Sequence, residues 1–270
     1  MALIRNYNHM KCKICTAQAK KVFSARVMNK YDVEYFRCDS CEYLFTENPY
    51  WLDEAYERAI NISDTGLINR NNEFSKILSV LIYSNFNKEA KFLDYAGGYG
   101  IFTRLMRDVG FDFYWHDLYC ENIFSPGFEI NIKNENHFEL ISAFEVFEHL
   151  TDPVDEIKKM LQVSNTIIFS TEILPNPVPK PDDWWYYAFE HGQHISFYSL
   201  RTLEFLADKF DLNLYTSAIF FIMTKRSLSA TKLNLINKLY KYGLFIYVKK
   251  RMQSKTWGDH LVLKKREGMQ

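Results

Sequence analysis

The hydrophobic pattern of the central part of the chain alternates short apolar runs with amphipathic segments. The apolar runs predict strands over 91–95, 111–116, 128–130, 138–143 and 166–171, and the amphipathic segments predict helices over 101–109 and 154–161. Alternating strands and helices are typical of a doubly wound, Rossmann-like α/β sheet, in which ligands bind at the carboxyl ends of the strands.

The segments on either side of this pattern are mostly helical. The sequence pattern of residues 50–90 predicts a helical connector or lid. The last third predicts a helix over 200–210 capped by Ser199, a strand over 212–223, a helical insert over 228–252 and a final strand over 259–265 that pairs at the sheet edge. We therefore expect three parts, an N-terminal 1–49, a connector 50–90 and a main domain 91–270.

A glycine-rich turn follows the first predicted strand of the main domain. The sequence from residue 92 to residue 100 reads FLDYAGGYG. Glycines let a backbone approach a ligand closely and place the free N–H groups of the next helix beside it. The residues in this candidate cofactor site are Asp94, Ala96, Gly97, Gly98 and Gly100.

A second strand after this turn ends at an acidic residue. Asp117 stands about twenty residues after the turn and is followed by Leu118. An acid at this distance can accept hydrogen bonds from ribose hydroxyls, as in nucleotide-binding sheets. A nicotinamide site would require G-x-G-x-x-G, and Thr103 stands where the third glycine would fall.

Four cysteines occur as two C-x-x-C pairs near the N-terminus. The pairs are Cys12 with Cys15 and Cys38 with Cys41, and 22 residues separate them. This spacing predicts a tetrahedral zinc ribbon of four thiolates, which is structural because no position is left open for chemistry. The alternatives are a redox pair or a chance arrangement.

Composition and charge limit the kinds of partner that the chain is expected to bind. Lysine plus arginine and aspartate plus glutamate both total 33, so the chain has no overall basic character for nucleic acid. Twelve basic residues and one acid lie between residues 225 and 266, which predicts a solvated face or a peripheral contact with an anionic partner. No apolar stretch reaches the ~18 residues of a membrane span, and we expect a cytoplasmic protein.

The glycine turn and the acid after the second strand resemble the first two motifs of class I S-adenosylmethionine (SAM) methyltransferases, with Ala96 where the family's first glycine stands. Residues 138–149, FELISAFEVFEH, match the fourth strand of that family and the turn after it. The resemblance implies SAM as the cofactor, with Phe144 near the adenine.

The order of the cysteine pairs, the glycine turn, the EVFEH run and the HISFYS run resembles bacterial SAM methyltransferases with an N-terminal zinc-binding domain. These enzymes modify sugars, often for surface polysaccharides such as capsules. The resemblance implies a small-molecule or carrier-linked sugar as substrate. In the sugar C-methyltransferase branch a Tyr-His-Glu-His run supplies the base, whereas residues 191–194 here read HGQH. The last histidine, His194, is kept, but the tyrosine and the glutamate of the run are replaced. Because carbon methylation needs more help with proton removal, this favours O-methylation with His194 as the base, and C-methylation is the alternative.

A second metal site is also implied. Glu145, Glu148 and His149 have the spacing E-x-x-E-H, which places them on one face if a helix begins there. His194 would complete a set for Mg²⁺ or Mn²⁺, as in small-RNA 2′-O-methyltransferases and ubiquinone-pathway O-methyltransferases. His194 and His149 are then the predicted catalytic residues. In the alternative, the glutamates cap a helix and the histidine packs against substrate.

Other function classes remain open from the sequence. These are a nicotinamide oxidoreductase, a non-catalytic zinc-ribbon adaptor with a methyltransferase-like fold, and nucleic-acid methylation, which the balanced charge disfavours. Four consecutive aromatic residues, 184–187, follow a proline-rich loop. They either stack on a cyclic substrate or close the roof of a pocket.

Overall fold

The computed structural model describes residues 9–57, 64–132, 137–217, 219–266 and 268. The chain divides into two compact units, each built from separate stretches. We name residues 1–61, 145–159 and 170–214 the ribbon unit, and residues 62–144, 160–169 and 215–270 the sheet unit.

Strands and helices are numbered in chain order. The strands are β1 His9–Lys11, β2 Gln18–Val27, β3 Tyr31–Cys38, β4 Leu44–Thr46, β5 Lys91–Tyr95, β6 Asp112–His116, β7 Leu140–Ala143, β8 Thr166–Phe169, β9 Ser196–Phe197, β10 Asn213–Thr216 and β11 Phe221–Thr224. The helices are α1 Leu52–Ala55, α2 Leu67–Asn85, α3 Ile101–Val109, α4 Pro153–Leu161, α5 Leu200–Lys209, α6 Ala230–Leu239, α7 Phe245–Arg251 and α8 Thr256–Arg266.

A six-stranded mixed sheet has the order β10-β11-β8-β7-β5-β6. Strands β5, β6, β7 and β8 are parallel, and β11 runs antiparallel to β8. All residues of β7 and β8 are buried, as expected for parallel strands covered on both faces. The predicted α/β fold class is confirmed, and β5 and α3 have the predicted bounds.

Four helices share one apolar core with this sheet. Helices α2, α3, α6 and α7 contribute buried side chains that pack with Phe92, Leu140, Ile168 and Ile222. The insert predicted over 228–252 is confirmed as helical. It is interrupted between α6 and α7, where Gly243 has a φ of 106° that an α-helix does not allow.

The predicted final strand over 259–265 is wrong, because this segment belongs to helix α8. Asp259 is buried and accepts two hydrogen bonds from the Arg107 guanidinium, at 2.8 and 2.7 Å, while Arg104 lies 2.9 Å from the same carboxylate. Asp259 and the half-buried Leu263 are four residues apart, on one helical face. The short apolar run after Asp259 resembled a strand because a few residues fit both periods.

Two other predicted strands differ in detail. The segment 212–223 is divided into β10 and β11, with a hydrogen bond from the Ser217 N–H to the Phe220 carbonyl at the turn. Residues 128–130 do not form a regular strand. Instead, Glu129 makes an isolated parallel β-bridge with Trp115.

The ribbon unit has its own five-stranded sheet, in the order β1-β2-β3-β4-β9 and antiparallel throughout. Strand β9 comes from far along the chain and pairs with β4. The boundaries of the ribbon unit and the sheet unit therefore differ from those of the predicted parts 1–49, 50–90 and 91–270. Among the described residues, no helix is long and apolar enough to cross a membrane.

Candidate active site

The glycine turn after β5 has a left-handed backbone at three positions. Ala96, Gly98 and Gly100 have φ values of 53°, 54° and 81°. Glycine adopts this conformation freely, whereas alanine at position 96 adopts it at a cost of about 1 kcal/mol. The turn leads directly into α3, whose N-cap is Gly100.

Gly97 is needed for space rather than for its backbone angle. A Cβ atom there would lie 2.6 Å from Asp94 Oδ2 and 2.8 Å from Trp115 Cδ1. The Trp115 indole donates a hydrogen bond of 2.9 Å to the Gly98 carbonyl, which fixes the indole beneath the turn. Any side chain at Gly97 would push the turn away from these two residues.

Asp94 is buried and connects three elements of the sheet unit. Its carboxylate accepts hydrogen bonds from Thr103 on α3, at 2.9 Å, and Ser142 on β7, at 3.0 Å. Burial raises the pKa of Asp94 to about 7, although these two hydroxyl donors favour the ionised form. Asp94 therefore holds the turn in place through contacts inside the protein.

Asp117 lies against the same turn. One carboxylate oxygen accepts the Gly98 N–H at 2.9 Å, and the other accepts the N–H groups of Tyr119 and Cys120, at 2.7 and 2.9 Å. The predicted neighbour Leu118 is 74% exposed. The structure therefore brings Asp117 and the glycine turn together at the carboxyl ends of β5 and β6, where α/β sheets bind ligands.

Phe144, which follows β7, lies in an aromatic cluster. Its ring centre is 4.5 Å from that of Phe74, 5.0 Å from that of Phe102 and 5.2 Å from that of Phe220. The contact between Phe144 and the adenine stays a prediction. In the segment predicted as a lid or connector, Arg70 makes a two-pronged ion pair with Asp64.

In the ribbon unit, three of the four residues predicted for a second metal come together. The ligand atoms of Glu148, His149 and His194 all lie within 4.8 Å of one another. The Glu148 side chain is fully buried, and both histidines are half-buried. We name these three residues the histidine cluster.

The two imidazoles are oriented by backbone carbonyls. His149 Nδ1 lies 3.1 Å from the Gln193 carbonyl, and His194 Nδ1 lies 2.7 Å from the Tyr186 carbonyl. A carbonyl can only accept, so each Nδ1 carries the hydrogen and each Nε2 keeps its lone pair. Burial lowers the pKa of His149 to about 4 and that of His194 well below its ordinary value, which keeps both rings neutral.

The helix that would place Glu145, Glu148 and His149 on one face does not form. Glu145 has a φ of 54°, and only a single 3-10 turn forms at Phe147–His149. The Glu145 carboxylate instead accepts a hydrogen bond of 2.6 Å from Ser170. The residues i, i+3 and i+4 therefore do not share a helical face, and Glu145 is not part of the three-residue group.

The aromatic run 184–187 divides into packed and exposed members. Tyr186 and Tyr187 are buried, and Trp184 packs edge-on against Tyr187 with ring centres 4.9 Å apart. Trp185 is 75% exposed. Three of the four aromatic side chains thus pack within the ribbon unit, and the Trp185 ring is exposed to solvent.

The four cysteines form two knuckles with the same backbone pattern. The Thr16 N–H donates to the Cys12 carbonyl, and the Glu42 N–H donates to the Cys38 carbonyl. Thr16 and Glu42 both have a φ of 63°. The sulfurs pair across the knuckles, Cys12 with Cys41 at 3.5 Å and Cys15 with Cys38 at 3.3 Å, and all four lie within 4.8 Å. This four-thiolate set fits a tetrahedral zinc ion.

Comparison with family models identifies a methyltransferase domain over residues 68–217, more than half of the chain. The chain belongs to this methyltransferase family. The predicted enzyme class is thereby confirmed, and the oxidoreductase alternative loses its support. No curated protein sequence matches the chain.

Solved methyltransferases are also similar in structure. The plantazolicin methyltransferase BpumL, in complex with a pentazolic desmethylPZN analog and SAH, is 14% identical with a TM-score of 0.48, covering 75% of this chain and 86% of its own. CalO1, a methyltransferase in calicheamicin biosynthesis in its SAH-bound form, is 13% identical with a TM-score of 0.44, covering 66% of this chain. The present chain spans 60% of the CalO1 chain.

The sequence did not indicate which residues orient the two histidines. Tyr186 and Gln193 act through their backbone carbonyls, which any residue type could provide. Ser170, which fixes Glu145, follows β8 and belongs to no motif. Position gave a partial indication: Gln193 immediately precedes the predicted His194, and Ser170 lies near the end of the predicted strand over 166–171.

Proposed function

We propose that this methyltransferase transfers the methyl group of SAM to a hydroxyl oxygen of a sugar or a sugar-linked group. The observation that carries this proposal is the fixed tautomer of His194, whose Nδ1–H is bonded to the Tyr186 carbonyl. Its Nε2 lone pair is left to accept a proton, which is what a general base for a hydroxyl requires.

The cofactor is assigned to the glycine turn and Asp117. In this proposal the Asp117 carboxylate accepts hydrogen bonds from the ribose hydroxyls, and the glycine turn lies against the cofactor. Leu118 and Phe144 would contact the adenine end. The hydrogen bond between Asp117 and the Gly98 N–H supports this assignment, because it holds the acid beside the turn.

In the proposed reaction, the acceptor oxygen attacks the methyl carbon and forms a C–O bond. The carbon–sulfur bond of the sulfonium breaks, and its electron pair stays on sulfur, leaving S-adenosylhomocysteine. The hydroxyl proton passes to His194 Nε2. The Tyr186 carbonyl, which accepts from Nδ1–H, stabilises the imidazolium that results.

Carbon methylation is the second candidate, and the residue at position 193 disfavours it. The glutamate of the C-methyltransferase run is replaced by Gln193, whose buried side chain donates to the Ala55 carbonyl at 2.8 Å. This amide supplies no base, and removal of a proton from carbon requires more assistance than removal from oxygen. The geometry therefore favours oxygen as the acceptor.

The exposed ring of Trp185 supports a cyclic acceptor. Sugars present an apolar ring face that packs on an indole, and Trp185 is the member of the aromatic run with an accessible face. We extend the proposal to a small-molecule or carrier-linked sugar of surface polysaccharide synthesis in the cytoplasm, with a structural Zn²⁺ on the four cysteines.

A second divalent metal is the alternative to base chemistry at His194, because an ion held by His194 Nε2 would occupy the lone pair that otherwise accepts the proton. Glu148, His149 and His194 would hold it, and both imidazoles already have the bonded Nδ1–H that is common in histidine ligands. Two nitrogen ligands and one carboxylate favour Mn²⁺ or a similar transition ion over Mg²⁺. Such an ion would supply a lowered pKa for a bound acceptor hydroxyl.

The reaction is tested by incubating the protein and SAM with nucleotide sugars, oligosaccharides and phosphorylated sugar intermediates. Mass spectrometry should show the gain of one methyl group, and NMR of the product should place it on oxygen. A methyl group on carbon would replace the O-methyl proposal with the second candidate. No product from any sugar would remove the sugar proposal.

The second metal is tested separately after chelation and dialysis, with the cysteine-bound zinc quantified. Activity should fall and be restored by Mn²⁺, and His149→Ala should abolish this restoration. Full turnover in metal-free buffer would exclude the metal and leave His194 as a simple general base.

A further inference from the structure

The positive charge of the C-terminal segment is only partly compensated, because Arg226, Lys241 and Lys255 lie 2.9, 3.2 and 3.9 Å from the carboxylates of Glu139, Glu73 and Asp112. Between residues 225 and 266 the one acid is Asp259, and it is buried against Arg107 and Arg104 of α3. This carboxylate therefore neutralises charges inside the sheet unit and none of the surface lysines around it. The exposed basic residues of the last two helices are Lys249, Lys250, Arg251, Lys264, Lys265 and Arg266.

Large apolar side chains are exposed on the same helices. Trp257 on α8 is 69% exposed, and Tyr242, just before α7, is 82% exposed. Aliphatic residues accompany them, namely Ile246 on α7 and Leu261 and Val262 on α8. Single exposed apolar residues are ordinary, but a succession of them on two consecutive helices indicates an interaction surface.

Helical spacing places apolar and basic residues side by side. Ile246 lies three and four residues before Lys249 and Lys250. Leu261 lies four residues after Trp257 and three before Lys264. The opposite faces are anchored, because Val248 and Asp259 are buried in the sheet unit. The two helices are thus held to the domain and present mixed apolar and basic faces.

We propose that the exposed faces of α7 and α8 form a peripheral docking surface for an anionic lipid bilayer. Clustered Lys and Arg residues are attracted to acidic headgroups, and Trp, Tyr and aliphatic side chains enter the headgroup boundary. A nucleic acid would use the basic residues and could stack on Trp257, but it offers nothing to Ile246, Leu261 and Val262. The balanced charge of the whole chain also disfavours it.

The test is sedimentation of the full-length protein with vesicles of phosphatidylcholine alone or mixed with phosphatidylserine. We expect binding to the mixed vesicles only, and a loss of at least ~10-fold at high salt. Replacing Lys249, Lys250, Lys264 and Lys265 with Glu should abolish binding. Lys264→Glu with Lys265→Glu should weaken binding on its own, and its matched control is Lys158→Glu with Lys159→Glu, which changes two exposed lysines of α4.

A second variant tests the apolar part of the surface. Trp257→Ala with Leu261→Ala keeps every charge, and it should weaken vesicle binding several-fold while SAM affinity, measured by calorimetry, shows that the protein is folded. Failure of wild type to bind the mixed vesicles would overturn the proposal. So would equal loss in the control variant, or tight binding to RNA with none to vesicles. The assay involves no methyl transfer, so its result is independent of the proposed reaction.

Discussion

The glycine turn of the sheet unit and the histidine cluster of the ribbon unit are assembled in different ways. The turn is one continuous stretch between β5 and α3, and its shape comes from the backbone angles of Ala96, Gly98 and Gly100. The histidine cluster joins Glu148 and His149 to His194, more than forty residues later. Its geometry comes from hydrogen bonds to two backbone carbonyls.

This difference indicates how each site should respond to change. The turn depends on close approach, so added atoms or a lost carboxylate should alter cofactor affinity. The cluster depends on side chains placed by distant segments, so its loss should alter turnover. Four predictions test this separation, beginning with the largest expected effect.

Replacement of a proposed zinc ligand should affect the ribbon unit most. Cys38→Ser removes one of four thiolates, and a structural zinc ion contributes roughly 10–16 kcal/mol of binding free energy. We expect the bound zinc to be lost and protease cleavage within the ribbon unit to increase, while SAM affinity persists. Metal analysis and limited proteolysis measure this, with Cys120→Ser as the control. Stoichiometric zinc in the Cys38 variant would contradict the four-thiolate site.

Loss of the proposed base should reduce turnover without changing cofactor affinity. His194→Ala should lower kcat by roughly 10²- to 10⁴-fold, the usual contribution of a general base. Calorimetric SAM affinity should stay at the wild-type value. His137→Ala, at an exposed histidine of the sheet unit, is the control. A His194 variant with wild-type kcat would remove the cluster from the chemistry.

Loss of the acid beside the glycine turn should have the opposite signature. Asp117→Ala removes a charged acceptor for two hydroxyl groups, so SAM affinity should fall roughly 10- to 100-fold. Glu121→Ala is the control because it removes an exposed acid of the same loop. Unchanged SAM affinity in the Asp117 variant would exclude this residue from the cofactor site.

The fourth prediction concerns the pH dependence of stability. Burial raises the pKa of Asp94 to about 7 from the 3.8 of an exposed carboxyl. The protonated form therefore contributes stability below about pH 4, and this is lost as pH rises through 7, by up to roughly 4 kcal/mol. Asp94→Asn should flatten this dependence in urea unfolding, whereas exposed Asp208→Asn should not. Equal pH dependence in wild type and Asp94→Asn would contradict the shift.

The same contrast explains what the sequence could predict. The bounds of β5 and α3 followed from local patterns, because glycines and buried runs act over a few residues. The two cysteine knuckles were likewise visible in the C-x-x-C spacing. The helix over Glu145–His149 did not form, because a hydrogen bond from Ser170 holds Glu145 outside the helical region. Helix α8 was missed because a distant Arg107 determines which face of it is buried. Tertiary contacts decided both outcomes.

The most direct test of the separation is the rate of methyl transfer as a function of SAM concentration in three proteins. These are wild type, Asp117→Ala and His194→Ala, assayed with whichever sugar acceptor gives product. We predict that saturating SAM restores the Asp117 variant to within a few-fold of the wild-type rate and leaves the His194 variant at its reduced rate. If saturating SAM restores the His194 variant, or fails to restore the Asp117 variant, the assignment of cofactor binding to the turn and base chemistry to the cluster is contradicted.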